Sequence, residues 1–293
     1  MKKILILGAS GFIGNALYKE LCSYFDTYGT YFSNSGPFSN NKKFFEFDQE
    51  TEDVTILLEN LRPSIIISAL RGNFNSQVHT HLSIINYINQ NDCKLIFISS
   101  ANVFDAFTNY PSYEYDKTLS QSVYGRFKIK IENALMRLPN NKYAILRLPM
   151  VFGANSPRVQ EIKNKIEFGE AIEVFPNVVV NATEISKLTQ QIHYIINRNK
   201  QGVFHLGSND LTHQHDLITD IAETLGYKNL LLKQVYDSNY DRFLAVLPKD
   251  NLLPKNLQVS VQDVIKASIM PKSAALTSIR KKRRKKVKRM PIP

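Results

Sequence analysis

The sequence predicts an α/β protein built on a doubly wound parallel sheet, with a smaller C-terminal lobe. Short β-branched apolar runs alternate with helical segments through the first half of the chain, as in a parallel sheet covered on both faces. A glycine-rich loop follows the first run and opens a helix. Past residue 150 this rhythm loosens, which suggests a second, smaller packing unit.

The elements follow in order. KILILG reads as the first buried strand and GFIGNALYKELCSYF as the helix after it. TYGTYF is a second strand. The helical DVTILLENL precedes the strand SIIISAL at 64–70, and VHTHLSIINYINQN precedes KLIFISS at 94–100, the fourth recognisable strand. GRFKIKIENALMRL is an amphipathic helix leading to a strand run, YAILRLPMVFG, at 143–153. GVFHLGS at 202–208 reads as one more strand, and THQHDLITDIAETLGY at 212–227 as a helix capped by Thr212. The expected organisation is a Rossmann-type domain over 1–150 with 177–208 returning to it, a substrate lobe over 151–271, and a basic tail over 272–293.

Composition narrows the function classes. The net charge of +11 is concentrated in the tail, which holds ten Lys or Arg and no acid. Removing those ten from the chain's 37 basic residues leaves 27 against 26 acidic ones, so the body is near neutral. The tail reads as a solvated extension that could contact an acidic partner, an anionic membrane surface or nucleic acid; it lacks interleaved aromatics for base stacking. No apolar run is long enough for a membrane span. ILIL is too short for a signal-peptide core, and two cysteines fit a reducing compartment, so a cytoplasmic location is expected. His79/His81 and His213/His215 are spaced i, i+2 and do not face each other on a helix, so no metal site is expected.

Three constellations carry chemistry. Gly8, Gly11 and Gly14 let the backbone turn tightly and approach a pyrophosphate at a helix N-terminus. Ser99 and Ser100 end a strand at the sheet edge where ligands bind, and a hydroxyl there can hold a carbonyl oxygen. Tyr-x-x-x-Lys occurs twice. Tyr113 and Lys117 sit in a loop-like stretch. Tyr124 and Lys128 lie on the edge of an amphipathic stripe through Phe127, Ile131, Leu135 and Leu138, one helical turn apart. A cation beside a buried tyrosine is expected to lower its pKa and make it a usable general acid.

In this order, GASGFIG, SSANVF, YGRFK beginning 24 residues beyond Ser100, and LRLPMVFG resemble the extended short-chain dehydrogenase/reductases. The resemblance falls in the dTDP-4-dehydrorhamnose reductase-like branch of sugar-nucleotide reductases and epimerases. GVFHLGSND is similar to that branch's late strand, and the likeness covers roughly residues 1–270. It implies an NAD(P)-dependent oxidoreductase acting on the keto group of a nucleotide-linked sugar. Ser100 would orient the substrate oxygen, Tyr124 would give the proton, and Lys128 would hold the cofactor ribose and tune Tyr124. Further cofactor contacts are implied for Ser10, Phe12, Ile13, Ser33, Asn34, Asp48, Ala69, Leu70, Arg71, Ser99 and Pro149, and substrate contacts for Asn102 and Asn181.

The loop Ser99-Ser100-Ala101-Asn102 is closer to the epimerase form than to the reductase form, so the reaction within the family stays open. So does the role of Arg71, which either holds a phosphate or pairs with a surface acid. No acid ends the second strand, which tilts the cofactor from NAD toward NADP. A non-catalytic dinucleotide-binding subunit is the competing expectation, and a homodimer is possible.

Overall fold

A computed structural model describes residues 2–33 and 35–269. Asn34 and the basic tail at 272–293 lie outside the described residues. The chain runs β1 (Lys3–Leu7), α1 (Phe12–Leu21), β2 (Asp26–Tyr31), β3 (Phe44–Glu46), α2 (Val54–Leu61), β4 (Ile65–Ser68), α3 (Phe74–Gln90), β5 (Lys94–Ser100), α4 (Val123–Leu135) and β6 (Tyr143–Leu148). It continues through β7 (Met150–Phe152), α5 (Pro157–Glu167), β8 (Ile172–Val174), β9 (Val178–Val180), β10 (Ala182–Glu184), α6 (Ile185–Asn197) and β11 (Gly202–His205). Last come β12 (Thr212–His213), α7 (Gln214–Thr224), β13 (Leu232–Gln234), β14 (Arg242–Leu244) and α8 (Val261–Ala267).

Seven strands form one sheet in the order β11-β6-β5-β4-β1-β2-β3, every pair parallel. This is the Rossmann-type doubly wound arrangement the sequence predicts. Side chains alternate across a strand, so one sequence serves two cores. Ile4 and Ile6 of β1 join Leu17 of α1 and Leu188 and Ile192 of α6 on one face. Leu5 and Leu7 join Leu58 of α2, Ile84 of α3 and Ile131 of α4 on the other. After β1 the chain winds outward to β2 and β3, then crosses back to β4 on β1's other side. The loops leaving β1 and β4 therefore diverge, and a crevice opens at their carboxyl ends.

The remaining strands form small sheets: β7 with β10, β9 with β12 and β14, and β8 with β13. Phe152, Val159, Val180, Leu217, Ile221 and Val264 build a separate core there. The chain returns to the large sheet through α6 and β11.

Three local expectations are corrected. The run 143–153 is two strands, because Pro149 has no N–H to donate and β7 leaves the large sheet to pair with β10. Thr212 does not cap a helix: it is extended in β12, paired with Val180, and α7 begins at Gln214 without a side-chain cap. Between β2 and α2 lies an edge strand, β3, only three residues long and without alternation, so KLIFISS is the fifth strand rather than the fourth.

Asn181, expected to touch substrate, is fully buried in this region. Its Nδ2 donates to the Ser208 carbonyl at 3.1 Å and the Val246 carbonyl at 2.8 Å, while its Oδ1 accepts the Val246 N–H at 3.1 Å. One amide therefore fastens three chain segments and has no donor left for a ligand. Asn181→Ala leaves these backbone groups unpaired. Urea unfolding should show a loss of roughly 3 kcal/mol with an unchanged m value, the sum of several unmet hydrogen bonds.

Candidate active site

The glycine loop is shaped by contacts that no side chain could make. Gly8 has φ +79°, and a Cβ there would stand 2.7 Å from the Ala69 carbonyl oxygen. A Cβ on Gly14 would stand 2.2 Å from the Gly8 carbonyl oxygen. The loop is fixed from below: the Gly8 N–H donates to Thr30 Oγ1 at 2.9 Å, and the Gly11 N–H to the Gly8 carbonyl at 3.1 Å. Gly11 gives α1 no side-chain cap. The first amides of α1, including those of Phe12 and Ile13, are thus arranged as a phosphate-binding turn arranges them. A cavity of about 1000 Å³ adjoins Ser10, Gly11 and Phe12, between α1, the 153–157 turn, α6 and α8; it does not reach Ser100, Tyr124 or Lys128.

Ser100 is the last residue of β5. Its Oγ donates to Asn102 Oδ1 at 3.0 Å and accepts the Asn102 N–H at 3.2 Å, closing a tight turn over 101–104. Ser122 caps α4 by accepting the Gly125 N–H at 3.0 Å. Gly125 is pressed against that turn: a Cβ there would stand 2.3 Å from the Asn102 carbonyl oxygen and 2.0 Å from Ser120 Oγ. This close approach brings Tyr124, the neighbour of Gly125, up to Ser100. Tyr124 remains 38% exposed, with its ring 5.8 Å from that of Phe74. Lys128 is 5% exposed. Its Nζ donates to the Ile98 carbonyl at 2.8 Å and lies 5.6 Å from the Tyr124 ring centre.

The electrostatics depart from the expected pattern. Burial raises the Tyr124 pKa above the ordinary 10, and the hydroxyl of Ser100 and the charges of Arg71 and Arg158 only oppose that rise. Lys128, expected to lower it, is itself pushed down to about 7 by burial, against the pull of Glu132. A tyrosine held up in this way keeps its proton at neutral pH, which suits a donor. Arg158, in the first turn of α5, is depressed by burial and by the like charge of Arg71. Both guanidinium groups therefore bear electrostatically on the phenol.

The other expected site residues fall in different places. Ser33 is exposed just past β2. Asp48 spends its carboxylate on the Glu50 N–H and the Thr51 hydroxyl, both at 2.9 Å. Ala69 abuts Gly8, Leu70 packs into the core behind it, and Arg71 is exposed beside them. Pro149 is buried where β6 ends. Ser99 is buried and gives its hydroxyl to Glu132 at 2.5 Å, pointing into the protein. Tyr113 and Lys117 lie in an irregular loop, where the Tyr113 N–H donates to Asp116 at 2.7 Å. Arg158, Glu132 and Arg147 are the residues that sequence reasoning did not select.

The fold and its glycine turn define a Rossmann-type protein of the extended short-chain dehydrogenase/reductase class. Residues 71–257 match the family described as the RmlD substrate binding domain, and the chain belongs to that family. A methionine adenosyltransferase 2 subunit beta of Mus musculus is 25% identical over 262 residues, spanning 81% of this chain and 76% of that protein. A dTDP-4-dehydrorhamnose reductase from Bacillus anthracis, solved with NADP, superposes with a TM-score of 0.70 at 18% identity, over 91% of this chain and 99% of its own. A Thermus thermophilus UDP-glucose 4-epimerase, solved with NAD, gives 0.72 at 15% identity, over 91% and 97%.

Two outcomes follow from this geometry. Gly125→Ala forces α4 off the 101–104 turn and should lower the melting temperature by about 5 °C or more, an overpacking cost of roughly 1–3 kcal/mol. Lys128 is protonated in the unfolded chain up to its ordinary 10.5 but in the folded chain only up to about 7. Between these values unfolding takes up a proton, so this lysine makes stability rise with pH. Wild type should therefore gain on Lys128→Met by up to about 2 kcal/mol between pH 7 and 9 in urea unfolding.

Proposed function

We propose that the protein is an NAD(P)-dependent oxidoreductase acting on a keto group of a nucleotide-linked sugar. The observation that carries this reading is the placement of a half-exposed Tyr124 against Ser100, with Lys128 one turn below it, at the carboxyl edge of the same sheet that carries the glycine loop. The loop fits a dinucleotide: its glycines let the turn pack tightly against Ala69 and the start of α1, and the first amides of α1 are the donors that would hold a pyrophosphate. The nicotinamide would supply hydride to the carbonyl carbon.

The chain's own residues do the rest. Ser100 orients the carbonyl oxygen through its hydroxyl. Tyr124 donates its phenolic proton to that oxygen as charge builds there, and its exposed edge lets it recover a proton from solvent. Lys128 would hold the cofactor ribose. Arg71 and Arg158 present positive charge where a sugar nucleotide carries its phosphates. Asn102 flanks the substrate oxygen beside Ser100. Ser33 follows β2 where an acid would favour NAD, which supports a preference for NADP.

A second reading is favoured by the name of the mouse relative: a chain that binds the dinucleotide and serves as one subunit of another enzyme. The two separate on turnover. With NADPH and a dTDP-4-keto-6-deoxysugar, Tyr124→Phe should lower the rate by about 10²–10⁴, the usual worth of a positioned proton donor. Its NADPH affinity, read by fluorescence, should stay within about threefold of wild type, because one hydroxyl facing the substrate is lost. Undiminished turnover in Tyr124→Phe rejects this assignment. NADPH binding without oxidation across keto-sugar nucleotides supports the subunit reading.

A further inference from the structure

Behind the exposed cluster lies a buried carboxylate with more partners than its place on a helix requires. Glu132 is 0% exposed and stands one turn beyond Lys128 on α4. Its Oε1 accepts the Ser99 hydroxyl at 2.5 Å. Arg147, 2% exposed on β6, approaches both carboxylate oxygens from Nε at 3.2 Å and Oε2 from Nη2 at 2.8 Å. Ser99 and Arg147 are register partners on adjacent strands. Two neighbouring strands and the helix carrying Tyr124 and Lys128 thus converge on one group. Lys128 adds a parallel stitch through Ile98, so three consecutive strand residues, 98 to 100, are set by the helix or face its Tyr.

Arg147 extends the connection outward. Its Nη1 donates to the Glu114 carbonyl at 2.9 Å and lies 3.4 Å from His205 Nε2. The Glu114 carboxylate in turn accepts the N–H groups of Lys249, Asp250 and Asn251.

We propose that Glu132 is a positioning residue for the Ser100–Tyr124–Lys128 cluster, fixing the end of β5 against α4 and keeping Lys128 beside a negative charge. The inference rests on the dinucleotide-binding reading above only for its cofactor readout. A buried ion pair contributes little net stability over apolar groups of the same shape, so a purely structural pair here could be replaced without functional loss. A carboxylate that also takes a serine hydroxyl at the end of the candidate catalytic strand ties that strand end to α4 as well as closing the ion pair. The charged and titratable groups facing Lys128 are Tyr124 and Glu132 on its own helix and His81 on α3, which burial and Lys128 hold neutral, with a pKa of about 3.

The test uses Ser99→Ala, Glu132→Gln and the double variant Glu132→Gln/Arg147→Met in the full chain. Three quantities are measured: melting temperature, NADPH affinity by fluorescence, and the titration midpoint of Lys128. The midpoint is read from [ε-13C]lysine NMR, with the signal assigned by its loss in Lys128→Met. The double variant removes both charges and should remain folded, with NADPH bound at least about tenfold more weakly. The Lys128 midpoint should fall below its wild-type value near 7 in both Glu132→Gln variants. Ser99→Ala keeps the ion pair and should weaken NADPH by about threefold, the worth of one hydrogen bond. Wild-type NADPH affinity and an unmoved Lys128 midpoint in a folded double variant overturn the proposal. Should the double variant fail to fold, unchanged NADPH affinity in Ser99→Ala overturns it. Absence of NADPH binding in wild type removes the dinucleotide reading instead, and the Lys128 midpoint still decides the role of Glu132.

Discussion

An all-parallel sheet has to be covered on both faces, and the rest of this structure depends on that constraint. Crossovers, helical in every case but β2 to β3, run from the end of one strand to the start of the next, so every strand's carboxyl end opens into a loop on one edge. The glycine turn after β1, Arg71 after β4 and Ser100 at the end of β5 are neighbours for this reason. Each was delivered by burial of Ile and Leu elsewhere. The apolar alternation of β1 feeds two cores at once, and the residues that follow it are released to polar work.

The same burial sets the electrostatic character of the site. α4 is packed tightly enough that Lys128 and Glu132 share its buried face. A lysine so placed loses the water that would keep it charged, and burial likewise raises the pKa of the tyrosine above it. Tyr124 therefore depends on Ser100 and on arginines that arrive from two different parts of the chain. Arg71 comes from the large sheet, and Arg158 from the smaller lobe.

Much of the fold was legible because long, strongly patterned segments carry their own evidence. β1, β4, β5 and the amphipathic α4 could be read from spacing alone, as could the glycine turn and the Tyr124–Lys128 face. What escaped has physical reasons. β3, at Phe44–Glu46, is too short to show a period. Ser156 and Pro157 form a helix start whose signals are standard, yet α5 behind it has little apolar patterning, and Arg158 was lost with it. Asn181 looked available because a single residue in a β-rich stretch gives no sign of its distant partners at 208 and 246. Glu132 lies four residues past Lys128 and so on its face, but only Arg147, from another strand, shows that the carboxylate is buried.

The paired ribbon of β7 and β10 has a mechanical meaning. Pro149 alone separates β6 from β7, and Ile185 follows Glu184 without a linker, so both covalent crossings there are taut and laddered to each other. Asn181 stands one residue before β10 and ties in the segments at 208 and 246. The smaller lobe, carrying Arg158, is thus joined to the large sheet by a paired strip rather than by two independent linkers.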